Sequence, residues 1–390
     1  MSLLGIEKDI YSVLEKDNPS LRRYGLKKIK EQLRRFLAYD ENKENNEALR
    51  ERKDLSVEMT SKILAEHGKA PMFVELLDFL ERIETGAQFF DEHLRDHLVH
   101  SFNTYLLGLY FMCKVERIEG HMRHIDPLVW KLSSLLHDVG YPVEILYGQM
   151  ERFFQKIDTF KQDHLPKKPD SSRLRFANLL KRGKHLKSSG SETWFENLET
   201  LYRGDNSFKL IEHRVAEYGF DIDLKQYFYK KVKEGFVDHG ILSALIVLNL
   251  IDALYAEHNP KNLLYLSEET EEKNGSYEFI DWGRQWFDGE VVDAAAVISL
   301  HNLVNDPILH DYQIPLEKTP TLYLLVLSDN IQVWRRHSVF RKVYPPDAVS
   351  ILFNPKEIRC TLAIADEEKS EAKNVLERRL IDGDMVIKVQ

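Results

Sequence analysis

The string Leu135-Leu136-His137-Asp138-Val139-Gly140 sets an imidazole beside a carboxylate where an apolar helix gives way to a turn. His137 ends the helix, and Asp138 begins a turn that Gly140 and Pro142 complete, so the chain leaves helical geometry there. At such a point both side chains can face one cation, and a neutral imidazole with a carboxylate suits Fe, Mn, Zn or Co. The dipeptide is common, and its meaning comes from its company. Upstream, His100-Ser101-Phe102 opens a helix that continues through Tyr105-Leu106-Leu107-Gly108. Downstream, Asp329 follows the apolar run Leu322 to Leu327, which leaves little polar face to carry it. A bare buried carboxylate is costly, so Asp329 has to be paired or bound to metal. Asp238-His239-Gly240 starts another apolar helix, and Leu300-His301-Asn302 ends a further one.

The order His100, His137-Asp138, Asp329 resembles the H…HD…D pattern of the HD superfamily of metal-dependent phosphohydrolases, over about residues 93–336. That resemblance implies an all-α bundle holding metal between its helices. Members with a binuclear site carry two more histidines between the HD pair and the last aspartate, where His239 and His301 stand here. Carried over, the pattern assigns His100, His137 and Asp329 to one ion and His239 and His301 to a second, with Asp138 bridging. It implies divalent transition metals (Fe, Mn, Co or Ni, with Mg or Zn as alternatives). It also implies His137, Asp138, His239 and His301 as the catalytic core, and hydrolysis of a phosphoester or phosphoanhydride, of a nucleotide, by metal-activated hydroxide. The order is similar to that of symmetrical dinucleoside tetraphosphate hydrolases and of cyclic-dinucleotide phosphodiesterases, although the paired histidines of the latter are missing. Two other readings share the ligand types: an HD-fold di-iron oxygenase, and a nucleotide-binding regulator without catalysis.

Candidates for the substrate's remaining polar groups are Asn103, one turn after His100, Asn302 beside His301, and Arg335 and Arg336 beyond Asp329. Lys181, Arg182 and Lys184 are further candidates, and a solvated basic face explains all five cationic residues as well. His93, His97 and His100 share a helical face at i, i+4 and i+7. The resemblance selects His100 and leaves His93 and His97 near the mouth or outside the site. His121, His124, His164, His185, His213, His258, His310 and His337 read as surface residues or fall outside the motif order.

Helices position these side chains. Apolar helical stretches run over about 97–113, 127–137, 238–256, 291–303 and 321–336, after charged amphipathic stretches at 21–38 and 73–83, with a solvated break at 40–46. A polar insertion, about 151–230, separates the second and third. The tail reads as a small β-α-β unit: strand-like 358–364, helical 367–380, strand-like 385–389. The expected class is mainly α, an HD-type helical bundle with a polar insertion and a small C-terminal α/β appendage. Its regions would be 1–90 (N-terminal helical), 91–345 (metal-binding helical) and 346–390 (appendage).

The chain has 390 residues, a net charge of -9 and 43% hydrophobic residues. That charge gives no clear nucleic-acid footprint, and a small phosphorylated substrate is the expected partner, with a homo-oligomer also compatible. Cys113 and Cys360 are too few for a disulfide framework and suit a reducing compartment. The charged start Glu7-Lys8-Asp9 does not resemble a signal peptide. No apolar segment is long and uninterrupted enough to span a bilayer. A cytoplasmic location without membrane contact is the expectation.

Overall fold

The computed structural model describes residues 3–16, 18–38, 45–64, 77, 96–121, 124–145, 147, 195–201, 204–258, 286–336 and 343–390. The expected helix at 73–83, most of the break at 40–46, the first part of the insertion (151–194) with Lys181, Arg182 and Lys184, and His93, His164, His185 and His337 lie outside them, as do the side chain of His258 and all of 73–83 except Leu77.

The described chain is mostly helical with a small C-terminal sheet. Helix α1 spans Gly5–Leu14, α2 Lys30–Leu37 and α3 Asn45–Leu64. The expected single stretch over 21–38 is broken: two short 3-10 turns precede α2, and Gly25 between them takes φ 83°. Helix α4, Leu98–Lys114, is buried from Val99 to Met112. A helix apolar on all sides is one that others surround. A short α5, Glu116–His121, follows. Helix α6, Pro127–Leu136, starts as its sequence requires, with Pro127 in the first turn and Asp126 accepting from the Leu128 and Val129 amides at 2.7 and 3.1 Å. Gly108 lets α4 and α6 pack closely, since a Cβ there would lie 2.1 Å from Trp130 Cζ2.

Helices α7, Ser207–Glu217, and α8, Leu224–Glu234, occupy the second part of the expected polar insertion. They are capped by Asn206 and Asp223 and bury Phe208, Ile211, Val215, Phe228 and Val232. This part is built into the core rather than laid over it. Helix α9 spans His239–His258, and α10, Val292–His301, follows a π-turn at Phe287–Val291. Helix α11 runs Pro320–Ile331. Helix α10 packs against α6, α7, α9 and α11, and α11 against α4.

The tail's main sheet has three strands where its sequence suggests two. β2 (Val349–Asn354) pairs antiparallel with β3 (Glu357–Leu362), which pairs parallel with β5 (Val386–Val389). Helix α12, Asp366–Arg378, makes the crossover and packs on β5 and α11. A two-residue ladder joins β1 (Ile314–Pro315) to β4 (Leu380–Ile381). The sheet is not a detached appendage: α1 packs on β2, and Phe353 meets the rings of Tyr110 and Phe111 at 5.5 and 6.0 Å. Among the described residues no helix is long and apolar enough to cross a membrane.

Candidate metal centre

Each of the six side chains expected to hold metal sits near a helix end. His100 lies in the first turn of α4, His137 just past the last residue of α6, and Asp138 in the turn beyond. His239 opens α9, His301 closes α10, and Asp329 lies in the last turn of α11. The structure brings all six together. His100 Nε2 stands 2.8 Å from Asp329 Oδ1 and 3.7 Å from Asp138 Oδ2. His137 Nε2 lies 3.5 Å from Asp138 Oδ2 and 3.6 Å from Asp329 Oδ1. The other oxygen of Asp138, Oδ1, faces a different pair: His239 Nε2 and His301 Nε2, each at 3.5 Å.

The opposite nitrogen of each ring is tied down. Nδ1 of His137 meets the Ser134 carbonyl at 3.0 Å, and that of His301 meets the Ile298 carbonyl at 2.6 Å. His239 Nδ1 meets Glu144 Oε2 at 2.6 Å, and His100 Nδ1 meets Gln332 Oε1. Gln332 also donates from Nε2 to the Trp334 carbonyl at 2.7 Å, which fixes its amide with the oxygen toward His100. Carbonyl, amide and carboxylate oxygens accept, so these nitrogens carry protons and each Nε2 is the atom left facing inward. Acceptors of this kind behind the rings are the usual support of metal-binding imidazoles.

The inward geometry fits a cation. With its proton on Nδ1, a neutral His100 turns a lone pair toward the Asp329 carboxylate at 2.8 Å. That contact repels unless a proton or a metal ion lies between them. His137 Nε2 is buried without a hydrogen-bond partner, facing two carboxylate oxygens beyond bonding distance. The groups His100–His137–Asp329 and His137–Asp138–His301 each offer ligand atoms within 4.8 Å of one another and can hold a metal ion.

Electrostatics agree. Burial pushes the Asp138 carboxyl up, but His137 and His97 overcome it and hold Asp138 well below the usual carboxylate range. Asp329 is likewise pushed up by burial and brought well below by His100 and His137. Burial lowers His100, helped by Arg336. Burial also opposes protonation of His137 and His239, yet both are raised, His137 by Asp138 and Asp329, and His239 to about 9 by Glu144. Both carboxylates are thus held ionised beside the imidazoles.

Three assignments change. His97, expected near the mouth or outside, contacts Asp138 Oδ2 through Nδ1 at 2.7 Å and stacks on Tyr141 with ring centres 3.7 Å apart. Burial holds it down to about 4, so it is neutral. Arg335 does not border the cavity. Helix α11 stops at Ile331, Arg335 adopts φ 54°, and its guanidinium grips buried Glu7 with Nε–Oε1 2.6 Å and Nη2–Oε2 2.7 Å. Asn103 is buried but also lies outside the cavity lining. Asn302 and Arg336 do line it, Asn302 donating to Asp238 Oδ2 at 2.8 Å. His124, His213 and His310 are exposed and do not line the cavity, and His121 lies at the end of α5.

The cavity over these groups measures about 170 Å³, with Tyr141, Asn305 and Asn330 completing its polar wall. Sequence reasoning missed Glu144 and Gln332, although one lies two residues past Pro142 and the other three past Asp329. No protein-family model, no curated protein and no solved structure matches the chain. Its chemistry therefore rests on this cluster of buried histidines and aspartates, which can hold a metal ion.

Proposed function

We propose that this protein is a metal-dependent phosphohydrolase of the HD type, with a binuclear centre and a nucleotide or related phosphoester as substrate. The observation that carries the reading is the convergence of four imidazole Nε2 atoms, each with its Nδ1 tied to an oxygen, on the two oxygens of Asp138. His100, His137, Asp329 and Asp138 Oδ2 would hold one ion, and His239, His301 and Asp138 Oδ1 the other. Such ions, when bound, supply Lewis acidity and make water a nucleophile near neutral pH.

The chain's own residues supply the rest. His97 donates Nδ1–H to Asp138 Oδ2 and so orients the shared carboxylate. Arg336, on the cavity wall, offsets charge on an anionic group entering there. Asn302, Asn305 and Asn330 can hydrogen-bond its oxygens. A cavity of about 170 Å³ is smaller than the ~300–1,000 Å³ of sites that enclose a small molecule. It suits the reacting phosphoryl group, with the remainder of the substrate outside.

The test is a phosphatase and phosphodiesterase panel with Mn, Fe, Co, Ni and Mg, run beside elemental analysis. His137→Ala and Asp138→Ala are expected to lose both bound metal and hydrolysis. Wild-type protein that binds no metal refutes the reading. Oxygen uptake with a mixed-valent di-iron signal, and no hydrolysis, replaces it with the oxygenase.

A further inference from the structure

The four tied imidazoles are not tied alike. Three meet neutral acceptors: His100 the Gln332 amide, His137 the Ser134 carbonyl and His301 the Ile298 carbonyl. His239 meets a carboxylate. Glu144 Oε2 accepts from its Nδ1 at 2.6 Å and from its backbone amide at 3.2 Å, clamping both ends of the residue that opens α9. Glu144 lies one short helical turn beyond the HD pair. The Tyr141 amide bonds the Asp138 carbonyl at 3.0 Å, and the Glu144 amide bonds the Gly140 carbonyl at 3.2 Å. A single hydrogen-bonded stretch therefore presents Asp138 Oδ1 and, six residues on, the group that aims His239 at it.

We propose that Glu144 is the positioning residue of the Asp138 Oδ1–His239–His301 half of the site, so that the two halves bind metal unequally and the second depends on Glu144. This rests on the metal-centre reading above. A carboxylate behind an imidazole fixes its tautomer and makes Nε2 a better donor than a neutral acceptor does, and loss of such a partner weakens metal binding about 10–100-fold. The Asp329 half keeps its own acceptors and is expected to be unaffected. The two roles of Glu144 separate by variant. Glu144→Gln keeps an oxygen for the α9 amide and for Nδ1–H but removes the charge, whereas Glu144→Ala removes both.

The experiment is calorimetric titration of the metal-free full chain with Mn²⁺ and with Co²⁺, alongside the Co²⁺ absorption spectrum at each equivalent and a melting curve for each variant. Wild type is expected to take two ions. Glu144→Ala should weaken one equivalent about 10–100-fold and leave the other at wild-type affinity. Glu144→Gln, with a wild-type melting curve, should lose about tenfold on that same equivalent. Equal weakening of both equivalents, or wild-type affinity in both variants, overturns the proposal while leaving the metal centre standing. A wild-type chain that takes up no metal overturns both.

Discussion

Gly140 tests how tightly the backbone fixes this centre. A Cβ at residue 140 would lie 2.8 Å from the His239 carbonyl oxygen, 2.9 Å from the Ser243 amide nitrogen and 3.0 Å from Ser243 Oγ. Ordinary contact needs about half an ångström more, and two of the three obstacles are backbone atoms that cannot swing aside. In Gly140→Ala the first turn of α9 must therefore move away from the HD turn. Overpacking of this kind costs about 1–3 kcal/mol, and weakening the Gly140 N–H to Ser243 Oγ bond, 2.8 Å long, adds about 1 kcal/mol. The same shift carries His239 Nε2 from its 3.5 Å position opposite Asp138 Oδ1, whereas metal–ligand distances tolerate only about 0.2 Å. Denaturant unfolding should show a loss of about 2–4 kcal/mol, and metal titration should show one equivalent weakened at least about tenfold. Adding Ser243→Ala removes only the Oγ contact and should not restore either quantity. Wild-type stability with two full metal equivalents in Gly140→Ala would refute the close approach of these two turns.

Glu7→Ala removes the carboxylate that grips the buried Arg335 guanidinium, at a cost of about 3–5 kcal/mol. Spread over a chain of this length, at about 2.1 cal/mol/K per residue, that is a fall in Tm of about 4–6 °C. Glu7→Leu combined with Arg335→Met should recover most of the loss, because matched apolar groups need no counter-charge, and a double variant as unstable as the single one refutes the pairing. Metal binding should depend on pH with a definite sign. His239, raised to about 9, is protonated in the metal-free protein at neutral pH and must release its proton to bind, and the upward shift of His137 acts in the same direction. Affinity should climb with pH up to about 9, with proton release visible in calorimetry across buffers of different ionisation enthalpy; pH-independent binding refutes it. The metal-free fold shows the complementary effect. Stability from His239 is full below its ordinary 6.5 and lost as pH rises through about 9, while that from Asp138 and Asp329 is present above 3.8 and lost in acid. Saturating metal should move the pH of highest Tm upward.

The site's inward half was legible because its residues combine strong types with helix boundaries. His137 and Asp138 follow an apolar run and precede Gly140, and Asp329 is a lone carboxylate after one. The fold was less so, and for identifiable reasons. In β2, Val349, Ile351 and Phe353 alternate, but Leu352 between them is also apolar and stands exposed, which erases the period-two pattern. The Lys- and Ser-rich composition of 151–230 hid the face Phe208–Ile211–Val215 and the start of the face Leu224–Phe228–Val232, although each has helical spacing. Val333 and Trp334 continue the apolar run, so the periodicity carries the expected helix on to Arg336. What ends the helix is distant in sequence: the Arg335 amide bonds the Tyr344 carbonyl at 2.8 Å and its side chain is held by Glu7.

The acceptors behind the rings follow a rule that the sequence contains but does not announce. A helix C-terminus leaves carbonyls unpaired, and an N-terminus leaves amides unpaired. His137 and His301 stand at C-termini, so each finds an acceptor three residues back in its own helix, Ser134 and Ile298. His100 and His239 stand at N-termini, where the helix offers donors and nothing to receive Nδ1–H. Each must borrow an acceptor from elsewhere, Gln332 from beyond α11 and Glu144 from beyond the HD turn. The two kinds of histidine should respond differently to change around them. Orientation of His137 and His301 survives any substitution that leaves their helices intact, while that of His100 and His239 hangs on a single side chain each. Sequence reading finds the first kind from the helix boundary alone. For the second it needs the fold, since Gln332 is 232 residues from His100 and Glu144 is 95 from His239.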